Sequence, residues 1–232
     1  ADMVALQLAS TDPNAQNTPA EQAVDVTKKV AAAVEVPLIV WGSSNLEKDT
    51  EVLKMIAEEC SEEKLILGPV EEGNYKALGA AALAYGHTIA ASSPIDINLA
   101  KQLNILLGNL GVPDERILVD PTVAGLGYGL EYAYSVMERD RMAALTQEDE
   151  RLQFPVVCNL GKEVWKVKEA KMGEEEAPLL GDPLKRGVLL EAMTALLPEN
   201  KDGALDESAF GVIQKLMAGK KCLAIGPGLG QA

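Results

Sequence analysis

The sequence predicts an α/β fold, an incomplete TIM-type (β/α) barrel of about seven parallel strands, and three observations lead there. Short apolar runs recur along the chain, each followed by a loop and a helical pattern. Most runs are continuously apolar rather than alternating, as parallel strands buried on both faces are. Polar and glycine residues gather at the end of nearly every run. In a barrel those ends converge on one mouth, whereas an open doubly wound sheet uses only the loops at its switch point.

The runs are Met3–Ala9, Pro37–Gly42, Lys64–Gly68, His87–Ala91, Arg116–Asp120, Phe154–Asn159 and Lys221–Gly226. The first leads into Ser10-Thr11-Asp12-Pro13-Asn14. Thr18-Pro19-Ala20-Glu21 then reads as a capping box with proline at the first helical position. The second ends in Gly42-Ser43-Ser44-Asn45, where Ser44 and Glu47 make another box. The third ends in Gly68-Pro69. The fourth ends in Ser92-Ser93, with Ser93 read as a cap, Pro94 as the start of a helix and Asp96 in its first turn. Leu99/Leu103/Leu106 mark that helix. The fifth ends in Asp120-Pro121-Thr122, and Gly125, Gly127 and Gly129 precede a helix striped by Leu130/Ala133/Tyr134/Met137. The sixth ends in Asn159-Leu160-Gly161. Glu169–Asp182 has no stripe and reads as an exposed acidic loop, after which Asp182-Pro183 repeats the cap-then-proline signal. A last stripe is Ala209/Val212/Ile213/Leu216. Residues 1–195 are therefore expected to form a truncated barrel, and residues 196–232 a tail packed as its last unit. Because the chain opens in a strand at Ala1, its N-terminus is expected to be cut or processed, with a strand missing before Met3.

Composition narrows the function classes. With 232 residues and 47% apolar content the chain can bury a sizeable core. A net charge of −14 argues against nucleic acid and anionic membrane surfaces, and leaves protein partners and neutral or cationic ligands open. Cys60, Cys158 and Cys222 lie far apart with no C-x-x-C, so neither an intrinsic iron–sulfur cluster nor a structural zinc site is expected. That cysteine usage suits a reducing cytosol. No apolar run approaches the length of a membrane span and no signal peptide is evident, so a cytoplasmic location is expected. The G-x-G-x-x-G fingerprint and the P-loop lysine are both missing.

The most informative stretch is ILVDPTVAGLGYG, from Ile117 to Gly129. A carboxylate at a strand's end, followed by a loop whose backbone can approach a ligand, describes the ligand end of a barrel. Taken with the other strand ends, the candidate binding residues are Asp12, Asn45, Asp120, Thr122, Gly125, Gly127 and Asn159, with no catalytic or metal-ligating set. Each polar member has a plainer role beside the functional one. Asp120 can bond a ligand, or it can cap the next helix and brace the glycine loop; Asp12, Asn45 and Asn159 share the ambiguity. His87, the one histidine, opens a strand at the opposite end and is expected to be structural. Glu138-Arg139-Asp140-Arg141 reads as a solvated helix face with local ion pairs. Trp41 and Trp165 are core residues or interface anchors.

The chain from Asp2 to about Thr194 resembles the small (delta-type) subunit of the corrinoid iron–sulfur protein of the CO dehydrogenase/acetyl-CoA synthase system. The resemblance is carried by VPLIVWGSSNLEKDTEVL from Val36, EEGNYKAL from Glu71, SSPIDINLAKQLNILL from Ser92, DPTVAGLGYGLEYAYSVMERDRMAAL from Asp120 and PVVCNLGKEVWKVKEAK from Pro155. It implies a TIM barrel related to methyltetrahydrofolate:corrinoid methyltransferases. It further implies a barrel mouth covering a corrinoid (cobamide) shared with a large subunit that carries the iron–sulfur cluster, and transient encounters with a methyltransferase and acetyl-CoA synthase. On this basis Tyr128 and Tyr132 are placed either against a flat macrocycle or in the barrel–helix layer. The alternative is an enzyme, a pterin-dependent corrinoid methyltransferase using the same mouth. From about Leu196 the chain departs from the family, and KKCLAIGPGLG near its end resembles the start of an ADP-dependent NAD(P)H-hydrate dehydratase domain. A fragment of such a dehydratase is the third expectation.

Overall fold

The computed structural model describes residues 3–125 and 127–176. These fall into two compact units, residues 3–122 with 134–158, and residues 123–133 with those from 159 onward.

The first unit holds a parallel sheet of β1 (Val4–Gln7), β2 (Leu38–Trp41), β3 (Ile66–Val70), β4 (Thr88–Ser92) and β5 (Ile117–Asp120), ordered as in the sequence. Helices α1 (Ala20–Ala33), α2 (Leu46–Glu59), α3 (Tyr75–Tyr85) and α4 (Ile97–Leu110) connect successive strands, and α5 (Leu130–Thr146) follows β5. The register is continuous, with Val4 opposite Leu38, Ile39 opposite Ile66 and Ile89 opposite Ile117. It slips once between Leu67 and Val70, where the Gly68–Pro69 peptide is cis. Strand order does not reverse among the described strands, as sequential β–α units require.

Period-two alternation sorts the strand side chains into two buried layers. Leu38, Val40, Leu67, Ile89 and Ile117 pack with Val52, Leu53, Ile56, Leu78 and Leu107 of the helices. On the other face Ile39, Trp41, Ile66 and Ala90 form a smaller cluster with Ala5, Leu118 and Val157. Burial on both faces explains why the runs read as continuously apolar. It also places Trp41, 2% exposed, in the core.

Several local expectations are corrected. The run Phe154–Asn159 forms one parallel bridge, Val119 to Val156, flanked by Val119 N–H to Pro155 and Val157 N–H to Val119. The loop expected from Glu169 begins inside a short helix, α7 (Lys168–Lys171), which follows α6 (Leu160–Val164). The run Lys221–Gly226 and the tail 196–232 lie outside the described residues.

Helix starts also differ. α1 begins after Pro19, one residue later than the box requires, and proline has no side-chain acceptor to cap it, while Thr18 N–H donates to the Ser10 carbonyl. α2 is capped by Asn45, not Ser44, since Asp49 takes the Ser44 N–H. α4 is capped by Asp96, which accepts from Asn98 and Leu99. Ser93 and Ile95 are instead tied to β5 through the Asp120 and Pro121 carbonyls, so the chain prolongs the strand before it turns.

Candidate functional site

Parallel order brings the C-terminal ends of β1 to β5 to one end of the first unit, with Asp12, Asn45, Asp120 and Thr122 in or beside the loops that leave them. Asp120 is 4% exposed. Its Oδ2 accepts from Ser92 Oγ at 2.7 Å, and its Oδ1 accepts from Thr122 N–H at 3.1 Å. Thr122 Oγ1 in turn donates to the Ser93 carbonyl at 3.0 Å, lacing the β4 and β5 loops together. Asp12 closes an Asx turn, accepting from Asn14 N–H at 2.8 Å. Asn45 Oδ1 accepts from Lys48 N–H at 3.0 Å. The residues read as ligand groups are thus engaged with the protein's own backbone.

Sequence reasoning missed four residues that shape this end. Asp49, 1% exposed, reaches back from α2 to accept from Ser43 N–H, Ser43 Oγ and Ser44 N–H, fixing the β2 loop. Ser44, Ile95 and, beyond β1, Asn17 have φ of 78°, 45° and 48°, and Thr122 joins them at 60°. Among the described residues only Glu148, outside these loops, is a further non-glycine residue with positive φ. Each such residue costs about 1–3 kcal/mol, most for β-branched Ile95 and Thr122, so the strain of the fold is concentrated at the strand ends. Only Asn17 is of a type that favours positive φ; Ser44, Ile95 and Thr122 carry no such signal in the sequence.

A cavity of about 300 Å³ opens between the β3, β4 and β5 loops and α4. Leu99, Leu103 and Leu106 form its apolar wall, and Glu71, Ser93 and Thr122 contribute polar groups. Ser93 is 1% exposed, and its Oγ has no hydrogen-bond partner among the described residues.

In the second unit Asn159 Oδ1 accepts from Lys162 N–H at 3.3 Å and caps α6. Gly125 is buried, and a Cβ there would lie 3.0 Å from Val167 Cγ1. Gly127 is exposed at φ +77° with open space around it. Tyr128 is 51% exposed and its hydroxyl donates to Glu169 at 2.8 Å, while Tyr132 is 63% exposed.

The electrostatics set further limits. His87 is fully buried at the opposite end of the sheet, its Nδ1 accepting from Leu65 N–H at 3.2 Å and its Nε2 facing the Ala57 carbonyl at 2.9 Å. Burial holds its pKa below the usual 6.5, which fits the neutral ring those two bonds require. Cys158 is exposed as a residue, yet its sulfur is sheltered; that burial and the nearby Asp120 carboxylate push the thiol up to about 11. It therefore stays protonated at neutral pH and is no nucleophile. Among the described residues no three His, Cys, Asp or Glu side chains are grouped to hold a metal ion. No described helix is long and apolar enough to cross a membrane.

Comparison with known proteins decides the family. Residues 1–178 match the family model of the CO dehydrogenase/acetyl-CoA synthase delta subunit. The chain belongs to this family. It is 39% identical over 208 residues to the acetyl-CoA decarbonylase/synthase complex subunit delta of Methanosarcina mazei, covering 84% of this chain and 46% of that protein. The subunit delta of Archaeoglobus fulgidus is 41% identical over 202 residues, covering 84% and 44%. That of Methanopyrus kandleri is 40% identical over 195 residues, covering 84% and 48%. The chain thus spans about half the length of the curated delta subunits it matches. Those relatives are named as subunits of an acetyl-CoA decarbonylase/synthase complex. The likeness of the tail to a dehydratase finds no support in these comparisons and lies outside the described residues.

Proposed function

We propose that this delta-family chain forms the cap of a corrinoid iron–sulfur methyl carrier. Its strand-end face covers a cobamide held by the large subunit while a methyl group passes from methyltetrahydrofolate, or a methyltetrahydropterin, to acetyl-CoA synthase. The observation that carries the proposal is the strand-end face itself. Its loops are locked by Asp49, Asp120 and Thr122 into strained conformations, and their polar side chains are spent on that locking. Such a face offers a fixed shape and no ligand to compete for cobalt. Sequential parallel strands buried on both faces support its closure as a TIM-type barrel, with Asp12, Asn45, Asp120 and Thr122 at the mouth. Gly125, Gly127 and Asn159 join that set on the grounds of the strand-end motif and the family resemblance.

The residues present fit a cobamide. The chain's single histidine sits at the far end of the sheet, so the covered face carries no imidazole from this subunit. The cavity beside Thr122 joins an apolar wall to the unpartnered Ser93 hydroxyl, a match for a short aliphatic arm ending in a carboxamide. When bound, the cobamide supplies the cobalt that accepts and releases the methyl group. The residues of this chain orient the macrocycle and keep water from its face.

The test is reconstitution. The purified chain alone should neither transfer methyl groups from methyltetrahydrofolate to free cobalamin nor bind that cobalamin tightly. With a corrinoid-loaded large subunit it should form a complex, weakened roughly tenfold or more by Thr122→Arg. Methyl transfer by the chain alone would overturn the carrier function in favour of a pterin-dependent methyltransferase.

A further inference from the structure

The second half of α5 and the segment after it enclose a cleft of about 850 Å³. Met137, Asp140, Leu145, Leu152, Phe154 and Val156 contribute to its wall. Asp140 is 4% exposed, and its Oδ1 has no hydrogen-bond partner among the described residues. This departs from the solvated, ion-paired helix face that Glu138-Arg139-Asp140-Arg141 suggests. Arg139 Nε donates instead to the Ser135 carbonyl at 3.3 Å. Arg141 also lines the cleft, with Glu148 and Glu150, but it is exposed and forms no ion pair with Asp140. Cations on the adjoining elements are already used: Lys101 pairs with Asp149 at 2.5 Å and Arg151 with Asp114 at 3.1 Å. A buried carboxylate oxygen without a partner is destabilising, and among the described residues no cation is paired with Asp140, so one brought by a partner would relieve it. In its wall, Leu145 and Val156 are 64% and 46% exposed. Exposed apolar side chains beside a cleft, with an unmatched charge inside it, have the character of an interface.

We propose that this cleft is a docking site for another subunit of the acetyl-CoA decarbonylase/synthase complex. A lysine or arginine of that subunit, flanked by apolar residues, brings its charge to Asp140 and its flanks to Leu145 and Val156. Charge complementarity selects this occupant. A second copy of the chain is disfavoured by its net charge of −14, and a small free cation would leave the apolar rim in water. The inference rests on membership of the delta-subunit family and not on the corrinoid cap, which concerns the strand-end face, so the two fail separately.

The experiment uses the full chain with the other purified subunits of the complex, added one at a time, and follows hydrogen exchange across residues 137–156. One subunit is expected to slow exchange there. Asp140→Asn and Leu145→Asp should each weaken its binding roughly tenfold. Asp140→Asn should do so without lowering the melting temperature of the chain itself, which separates a lost partner from a damaged fold. Absence of protection by every subunit, or full-strength binding by Asp140→Asn, overturns the proposal. Equal protection by millimolar spermidine alone would make the site one for small cations, and protection appearing with self-association would make it a homotypic contact; either result also overturns it.

Discussion

Replacing Asp140 by asparagine should flatten one part of the pH dependence of stability, by an amount that follows from the burial of this carboxylate. Burial first, and the neighbouring charge of Asp149 second, raise its pKa from the ordinary 3.8 to about 6. At 1.36 kcal/mol per pH unit, that shift is worth about 3 kcal/mol. The sign follows from proton binding. Between these two values the folded chain holds a proton that the unfolded chain has released, so stability is complete below 3.8 and is lost as pH rises toward about 6. Between about pH 5 and about pH 7.5 the wild-type chain should lose about 1–1.5 kcal/mol through this group. Asparagine has no such proton to lose. Urea unfolding of both chains at the two pH values checks this, because other titrating groups contribute equally to both and cancel in the difference. The asparagine variant should gain about 0.5 M in relative midpoint on going to the higher pH. Its absolute gain at neutral pH should be nearer 1–2 kcal/mol, since the buried amide also wants partners. A wild-type-minus-variant difference that is the same at both pH values would refute the assignment of Asp140 as a buried, unpaired acid.

Three further outcomes are expected. His87 is the only histidine, so its ring resonances titrate unambiguously; the midpoint should fall below 6.5, and the stability it contributes should be complete above that value and fall as pH drops beneath it, whereas a midpoint at or above 6.5 would contradict the two buried bonds. Asp120→Ala should cost about 2–4 kcal/mol in denaturant titration by stranding Ser92 Oγ and Thr122 N–H, and Asp120→Asn less, while a cost under about 0.5 kcal/mol for alanine would remove Asp120 from the bracing of the loops. Gly42→Ala places a Cβ 2.4–2.6 Å from the Asp49 carboxyl group and should cost about 1–3 kcal/mol, with faster hydrogen exchange at Ser43 and Ser44; unchanged exchange there would show that Asp49 does not hold the loop.

Much of the fold was legible because parallel strands leave a coarse mark. LIVW at Leu38–Trp41 and ILVD at Ile117–Asp120 are buried throughout or nearly so, which is how strands covered on both faces come to be apolar at successive positions. Strand existence and order follow from such runs. Helix starts were less legible, since a serine before a proline or ahead of a glutamate is judged on local grammar alone. Ser93 and Ser44 both fit that grammar, yet Asp120, 27 residues on, and Asp49, inside the next helix, take hold of their loops and shift the caps to Asp96 and Asn45. Tertiary bonds outrank a capping box when the backbone donor it needs is already engaged.

The candidate site shows the same competition at the level of function. Asp12, Asn45 and Asn159 were visible as polar strand-end residues, and each turns out to satisfy a nearby backbone N–H. Asp120 does so while sealed from solvent. Residue type and position could not separate the two roles, because an acceptor aimed at a ligand and one aimed at an N–H two or three residues away need the same side chain. What separates them is the remaining valence. Ser93 Oγ and Asp140 Oδ1 are buried and still unmatched, and neither stood out in the sequence, one masked as a cap and the other as a surface charge. Unmatched polar atoms are expensive to retain, so they are better pointers to what this subunit binds than the well-satisfied groups around them. One lies beside the strand-end cavity and the other in the cleft beside α5, so the corrinoid cap and the docking site proposed above each rest on an unmatched buried atom of their own.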